Sequence, residues 1–147
     1  MTMNPYLAAM CCDSQDVNPL FNLLGARLTS VGKGKATIEL PLSHCLTQGA
    51  GVVAGGVLAT LADEAMAHAV ISYLGDAGKT VTTEMNIRYL RGTDPDREGA
   101  LTSTATVIKP GRSIMTAEAN IHDDLGRLLA TAGGSFFVVP EPGRDGA

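Results

Sequence analysis

Two adjacent glycines, Gly55 and Gly56, open a long apolar run, and a carboxylate, Asp63, follows eight residues after the first of them. The first N–H groups of a helix have no partner inside the helix, and the helix dipole favours negative charge at that end. Glycines leave these N–H groups unobstructed, so an oxygen that gains charge in a reaction would be stabilised there, as in an oxyanion hole. A plain helix start with a close backbone approach explains the glycine pair as well, so the chemistry depends on the acid.

The acid lies on an apolar helix face. At 100° per residue Asp63 shares its face with small or apolar residues, none of which neutralises a carboxylate: Gly56, Ala59, Met66, Ala67 and Val70. A helix that is apolar on nearly every side is a core helix, and such a helix rarely holds an acid that is neither paired nor functional. Asp63 is therefore either a reactive carboxylate, with Met66, Ala67 and Val70 forming an apolar substrate pocket, or a buried acid paired with a distant lysine or arginine.

Two further polar residues occupy a different side of the same helix. Glu64 and His68 are four residues apart and more than 90° from Asp63. Side chains at this spacing are neighbours on a helix surface. We expect them to satisfy each other as a pair at the surface or at the rim of the protein.

The spacing between the glycines and the acid predicts self-association. Eight residues separate Gly55 from Asp63, which is about 12 Å along a helix axis. Groups that act on one carbonyl must approach it to about 3 Å, so one helix cannot present both groups to the same substrate. A symmetric dimer, in which the acid of one subunit meets the glycines of the other, removes the difficulty. The choice between dimer and tetramer stays open.

The elements around this helix predict its surroundings. The helix runs from about Gly55 to Leu74 and is ended by Gly75. Residues 26–31 and 35–40 alternate around Gly32-Lys33-Gly34 as in a β-hairpin, and residues 19–24 suit a short helix or turn. Four strand-like runs follow the helix, at residues 80–90, 100–108, 114–122 and 128–139. The order predicts an α+β fold in which a curved antiparallel sheet of about five to six strands wraps one long central helix, the arrangement called a hotdog fold.

Length and charge narrow the class of protein. The 147 residues suit one domain, with a core at about 18–139, an N-terminal segment at 1–17 and a flexible tail at 140–147. The net charge of −4 argues against a nucleic-acid partner. We find no secretory signal and no run approaching about 18 apolar residues, so no membrane association is predicted.

The cysteines indicate a reducing compartment. Cys11, Cys12 and Cys45 make an odd number, and no Cys-x-x-Cys is present. The pattern predicts free thiols in a cytoplasmic protein rather than a disulfide framework. A zinc site that combines these thiols with His44 fits no familiar ligand spacing, so no metal is predicted.

A family resemblance rests on the glycine–acid segment. Gly51-x-Val53-x-Gly55-Gly56-Val57-Leu58-x-x-Leu61-x-Asp63-x-Ala65 resembles the signature of hotdog-fold acyl-CoA thioesterases. Within that family, it resembles the branch that contains the phenylacetic-acid-pathway thioesterase and the Arthrobacter-type 4-hydroxybenzoyl-CoA thioesterase. Residues 82–90 resemble the next strand of that family, and residues 99–101 and 111–113 resemble its later landmarks. The likeness covers about residues 18–139.

The resemblance implies hydrolysis of an acyl-CoA or aroyl-CoA thioester to a free acid and CoA, at a site shared by two subunits. It places Asp63 as the nucleophile or the general base, and Gly55 as the backbone N–H that polarises the thioester carbonyl. Gln48 would orient the carbonyl or the water, and Thr82 would help to hold the attacking water. No cofactor is implied, since CoA belongs to the substrate.

The same resemblance suggests where CoA phosphates bind. Arg112, followed by Ser113, resembles the position at which members of the family grip these phosphates, and further candidates are Arg88, Arg91 and Lys109. Arginine suits the task because it binds phosphate oxygens through two parallel donors. The alternative for Arg112 is a solvated arginine in a hairpin turn.

The chain departs from the family at one position. Ala54 stands where the family usually has histidine before the two glycines, so an imidazole near the scissile bond is missing. Two alternatives to a thioesterase therefore stay open. One is a non-catalytic protein that binds or senses acyl-CoA. The other is a hotdog dehydratase or hydratase acting on acyl thioesters, although such enzymes usually pair a histidine with an acid.

Overall fold

The structure is a computed structural model that describes residues 3–76 and 78–140. Within these ranges the helices are α1 (Pro5–Met10), α2 (Pro19–Leu24) and α3 (Gly55–Leu74), with a single 3₁₀ turn at His44–Leu46. The strands are β1 (Arg27–Gly32), β2 (Lys35–Pro41), β3 (Lys79–Tyr89), β4 (Ala100–Lys109), β5 (Ile114–His122) and β6 (Leu128–Val139). Apart from Pro140, the expected tail lies outside the described residues.

The six strands form one antiparallel sheet in the order β1-β2-β4-β5-β6-β3. The sheet is curved and unclosed, and α3 contacts all six of its strands. The prediction of an α+β hotdog fold is confirmed. Strands β1 and β3 are the two edges, so the strand that follows α3 in the chain pairs on one side only.

Small side chains allow the sheet to approach α3 closely. Ala62, Ala65 and Ala69 have no exposed surface and lie on the side of α3 that faces the sheet. Gly75 ends the helix with a φ of 82°, a conformation that glycine adopts without steric cost. The predicted bounds of α3, β5 and β6 are those observed, since glycine or another turn-forming residue marks most of their ends.

No membrane span was expected from the sequence. By length and composition alone, however, α3 could cross a membrane, since its most apolar window has a mean hydropathy of 1.2. A helix at the core of a globular protein passes the same test, so one such helix is weak evidence for a membrane span. The sheet that wraps α3 accounts for its apolar composition.

The N-terminal segment belongs to the core, contrary to the expected boundary near residue 18. Asn4 caps α1 by accepting a bond from Tyr6 N (2.9 Å), and its Nδ2 donates to the Gly75 carbonyl (2.9 Å) at the end of α3. Leu7 and Met10 are buried in the hydrophobic core. Helix α1 has only six residues, which are too few for a helical period to be recognised in the sequence. The contact that anchors it joins residues 71 positions apart.

Candidate active site

The central contact of the candidate site joins α3 to the edge strand. Thr82 Oγ1 donates a 2.6 Å hydrogen bond to Asp63 Oδ1. Asp63 follows the second turn of α3 and is half-buried, whereas Thr82 is exposed on β3. After Thr82 the pairing between β3 and β6 shifts by one residue, so that Glu84 lies opposite the β6 residue adjacent to the partner of Thr82. This shift is a β-bulge, and it bends β3 where the strand faces Asp63.

Within the described residues, Asp63 has no cationic partner, since none of the ion pairs there involves it. The alternative of a buried acid neutralised by lysine or arginine is therefore not what the structure shows. The threonine hydroxyl fixes the orientation of the carboxylate, and its own lone pairs stay available to a water molecule.

The start of α3 presents unoccupied backbone donors. Ala54 is the N-cap residue, its side chain makes no capping bond, and the first turn contains no acid. The Ala54 carbonyl accepts from Val57 N (3.0 Å) and from Leu58 N (3.4 Å). Among the described residues we find no acceptor for the N–H groups of Gly55 and Gly56, so both can bind an oxygen that carries negative charge.

Tyr89, at the end of β3, packs on the first of these glycines. Its hydroxyl donates a 2.8 Å hydrogen bond to the Gly55 carbonyl. A Cβ built on Gly55 would lie 3.2–3.3 Å from the Tyr89 ring, whereas a Cβ on Gly56 would meet nothing within 4 Å. A side chain at residue 55 would require the half-exposed Tyr89 ring to shift by a few tenths of an ångström. Sequence reasoning missed Tyr89, because nothing in a strand pattern shows that its last residue reaches a helix start 34 residues earlier.

Within one chain, the backbone donor at Gly55 and the carboxylate of Asp63 lie far apart. Helix α3 is continuous from Gly55 to Leu74, so its eight-residue spacing separates the Gly55 N–H from Asp63 by about 12 Å along the axis. A site composed of both groups therefore stays a prediction that needs a second subunit.

Gln48 lies in the loop before α3 and serves that loop. Its backbone N–H donates to the Val52 carbonyl (2.9 Å), and its side-chain oxygen accepts from Ala50 N. Within the described chain no hydrogen bond joins it to Asp63 or Thr82. Its role in orienting a carbonyl or a water stays a prediction.

Two of the residues expected to line a substrate pocket are covered instead. Met66 and Val70 have no exposed surface, because the concave face of the sheet packs on that side of α3. The uncovered stripe of the helix lies beside them. It contains Ala67, the third expected residue, together with Ile71.

A cavity of about 640 Å³ opens along this uncovered stripe. Its apolar walls come from α3, the start of β3 and the end of β6: Ala67, Ile71, Val81 and Val139. One part of the wall is polar and consists of Tyr6, Asn18, Glu64 and His68, which we call the polar cluster.

His68 and Glu64 lie close together, as expected for a pair at the surface or the rim, but His68 is buried and its main bond is to the backbone of Glu64. The His68 side chain is 1% exposed, and its Nδ1 lies 2.6 Å from the backbone carbonyl of Glu64 but 3.8 Å from the carboxylate. A carbonyl only accepts, so Nδ1 carries the proton and Nε2 accepts from the Tyr6 hydroxyl at 3.0 Å. Burial lowers the pKa of His68, and the ring is neutral.

Asn18 completes the polar cluster. Its Nδ2 donates to the Tyr6 hydroxyl (3.0 Å) and to Glu64 Oε2 (3.2 Å). Burial raises the pKa of Glu64, the bond from Asn18 lowers it, and the nearby Asp63 raises it again, with a net upward shift. Sequence reasoning did not find this cluster, because Tyr6 and His68 lie 62 residues apart.

The candidate phosphate-binding residues fall into two groups. Arg112 and Ser113 lie in the β4–β5 turn, near Lys109 and near the part of the sheet where Val81 pairs with Phe137. Arg88 pairs with Thr131, seven residues farther along β3, and Arg91 follows that strand. At about 3.3 Å per residue the groups lie roughly 23 Å apart, so the five residues do not form one site within a chain.

Known proteins resemble the chain in sequence and in fold. The model of the thioesterase superfamily matches residues 50–130, a stretch that includes Gly55, Asp63 and Thr82. The 1,4-dihydroxy-2-naphthoyl-CoA hydrolase of Listeria monocytogenes is 29% identical over 106 residues, which are 72% of this chain and 84% of that protein.

Two solved structures show the same architecture. A conserved protein of Pseudomonas aeruginosa is 30% identical, with a TM-score of 0.79 over 87% of this chain and 99% of its own. The PaaI protein from the phenylacetic acid degradation operon of Escherichia coli superimposes with a TM-score of 0.81 over 95% of this chain and 97% of its own. At 21% identity, the second likeness shows the fold alone.

Proposed function

The chain belongs to the thioesterase superfamily, and from that premise we propose that it hydrolyses acyl-CoA thioesters at a site shared by two subunits. The observation that carries the proposal is the 2.6 Å bond from Thr82 to Asp63. It orients a carboxylate that has no cationic partner within the described chain. A fixed carboxylate without such a partner, next to a cavity lined by the neighbouring Glu64 and Ala67, suits a general base or a nucleophile.

Both routes balance with the groups present. As a general base, Asp63 takes a proton from water, the resulting hydroxide adds to the thioester carbon, and the C–S bond breaks. The CoA thiolate then takes the proton from Asp63. As a nucleophile, Asp63 attacks the same carbon and expels the thiolate, and water hydrolyses the resulting anhydride. In either route the carbonyl oxygen becomes negative and binds the N–H of Gly55, with Gly56 beside it.

We place that Gly55 in the partner subunit. The edge position of β3 supports this arrangement, because an edge strand offers unpaired backbone groups to another chain. Apolar side chains at both ends of this strand are about half exposed: Val81, Tyr89 and Leu90. A two-fold contact along β3 would cover them and bring each Asp63 toward the helix start of its mate.

CoA phosphates would bind to one of the two arginine groups. Arg112 with Lys109 and Ser113 forms one, and Arg88 with Arg91 forms the other. In a two-subunit assembly, a substrate held between the chains can take its phosphate contacts from one subunit and its catalytic acid from the other. Arginine at either position binds phosphate as a planar pair of donors.

A hydratase or dehydratase is the less favoured enzyme. Such enzymes usually pair a histidine with an acid, and Ala54 stands at the helix start where that histidine would be expected. The nearest histidine in the preceding loop, His44, is exposed and pairs with Asp96 at 2.7 Å. A non-catalytic acyl-CoA binder is the second candidate function, and the missing imidazole is the observation that favours it.

A thiol-release screen tests the proposal. Short-chain, long-chain and aromatic CoA esters are offered to the wild type, to Asp63→Asn and to a control, Glu118→Gln, which removes an exposed carboxylate on β5. We expect release by the wild type and the control, and a loss of about 10²–10⁴-fold in Asp63→Asn, the usual contribution of a general base. Tight binding of CoA esters without release from any of them would establish the binding protein instead.

A further inference from the structure

The cavity along α3 begins beside the proposed catalytic acid. Glu64 follows Asp63 directly, Ala67 lies one turn beyond Asp63 on the same face, and Val81 precedes Thr82. An acyl group whose carbonyl carbon lies at Asp63 therefore has this cavity next to it. Its volume of about 640 Å³ is in the range of small-molecule sites.

The cavity is apolar over most of its wall, so it suits the carbon chain or ring of an acyl group. Polar residues line the rest, and the groups of the polar cluster must be either satisfied internally or used by a ligand. Lys79 and Asp76 also border the cavity, but both are exposed and stand at its solvent side.

The polar side-chain hydrogens of the polar cluster all donate to acceptors within the cluster. His68 Nδ1–H donates to the Glu64 carbonyl, the Tyr6 hydroxyl donates to His68 Nε2, and both hydrogens of Asn18 Nδ2 are given to Tyr6 and Glu64. What the cluster still offers is acceptor capacity. Within the described residues no donor reaches Oε1 of Glu64, whose side chain is 21% exposed.

We propose that this cavity receives the acyl group and that the Glu64 carboxyl selects acyl groups that carry a hydroxyl within its reach. The inference rests on the proposed thioesterase function and names its substrate class. A hydroxyl donates to the open carboxyl oxygen, whereas an unsubstituted chain leaves that oxygen desolvated and unpaired. A second carboxylate on the acyl group would be repelled by Glu64 and by Asp63.

The test compares three CoA esters of equal chain length, those of hexanoic, 6-hydroxyhexanoic and adipic acid, by their rates of thiol release. Hydroxylated esters of four and eight carbons, each beside its unsubstituted counterpart, cover other depths. At the length that reaches Glu64, we expect kcat/KM for the hydroxylated ester to exceed that for the unsubstituted one by about tenfold or more, as for a hydrogen bond to a charged group. The adipic ester should be the poorest of the three.

Two variants connect the preference to Glu64. In Glu64→Leu the ratio between hydroxylated and unsubstituted esters should fall to about one. Glu64→Gln keeps an acceptor oxygen but removes the charge, so it should keep part of the hydroxyl preference and improve turnover of the adipic ester. The matched control is Glu84→Gln, a carboxylate outside the cavity that accepts from Ser135, and it should keep the wild-type ratios.

The outcomes separate this inference from the proposed function. Equal rates for hydroxylated and unsubstituted esters at every length, or a hydroxyl preference that survives in Glu64→Leu, would overturn the inference and leave the thioesterase function intact. Absence of release from every ester by the wild type would overturn both.

Discussion

Thr82 Oγ1 on the edge strand lies 2.6 Å from Asp63 Oδ1 on the core helix. The bond crosses from an exposed residue to a half-buried one, and it joins two elements whose relative position depends on the curvature of the sheet. It gives the carboxylate one orientation.

Thr82→Val removes the hydroxyl while keeping the β-branched shape. We expect kcat to fall by about ten- to hundredfold, the effect of a lost hydrogen bond to a charged group, with little change in KM. Thr82→Ser keeps the hydroxyl and should retain most of the activity. Steady-state thiol release measures both variants, and full activity in Thr82→Val would show that the bond has no part in turnover.

The two glycines should respond differently to a methyl group. Alanine at position 56 finds open space and should raise the free energy of unfolding by about 0.5–1 kcal/mol, the usual gain over glycine in a helix. Alanine at position 55 meets the Tyr89 ring and should show no such gain. Denaturant unfolding of Gly55→Ala, Tyr89→Ala and the double variant gives the coupling directly. Additive effects would mean that the Tyr89 contact does not restrict residue 55.

The raised pKa of Glu64 predicts that the stability difference between the wild type and Glu64→Gln depends on pH. Burial raises the pKa of Glu64 above its ordinary value of 4.5 in the folded state, opposed by the bond from Asn18 and reinforced by the charge of Asp63. Its contribution is therefore fully present below pH 4.5 and is lost as the pH rises through the folded pKa. Glu64→Gln has no charge to lose, so its free energy of unfolding relative to wild type should increase from pH 4 to pH 8. A difference that is constant or falls over this range would contradict the raised pKa.

The arginine groups can be separated by a substrate that lacks phosphates. If Arg112 grips CoA, Arg112→Gln should raise KM for a CoA ester by about tenfold, as for a lost charged hydrogen bond, but not for the same acyl group on N-acetylcysteamine. Arg88→Gln, tested alongside, should show that pattern if its group binds the phosphates instead. An equal rise in KM for both thioesters would indicate a structural effect.

Much of the fold could be predicted because its signals are local. The bounds of α3 follow from Gly55 and Gly75, Pro110-Gly111 precedes β5, and the Asp123-Asp124-Leu125-Gly126 turn separates β5 from β6. Asp63 stood out for the same reason, as an acid within an apolar run. The resemblance of the glycine–acid segment to a known family added roles for neighbouring residues, which spacing alone does not predict.

The remainder depended on contacts between distant residues. Which side of α3 stays uncovered is set by the curvature of the sheet, so the helical wheel alone placed Met66 and Val70 in a pocket that they do not line. The polar cluster needs α1 to bring Tyr6 to His68, and α1 itself was not predicted. Tyr89 reaches Gly55 only because β3 returns along the helix.

The central claim is that the acid and the backbone donor come from different subunits, and mixing two inactive variants tests it. Gly55→Pro removes the donor while suiting the first position of a helix, and Ala54, with φ −61° and ψ 137°, has the conformation preferred before proline. The partner variant is Asp63→Asn. Each alone should be nearly inactive.

In a randomly mixed dimer population about half of the dimers are mixed, and each of these has one site with an intact Gly55 and an intact Asp63. Co-refolded or co-expressed variants should therefore recover about one quarter of the wild-type thiol-release activity. Recovery to that level is the predicted result. Activity no higher than the sum of the two separate variants, in a sample shown to contain mixed dimers, would contradict the shared site.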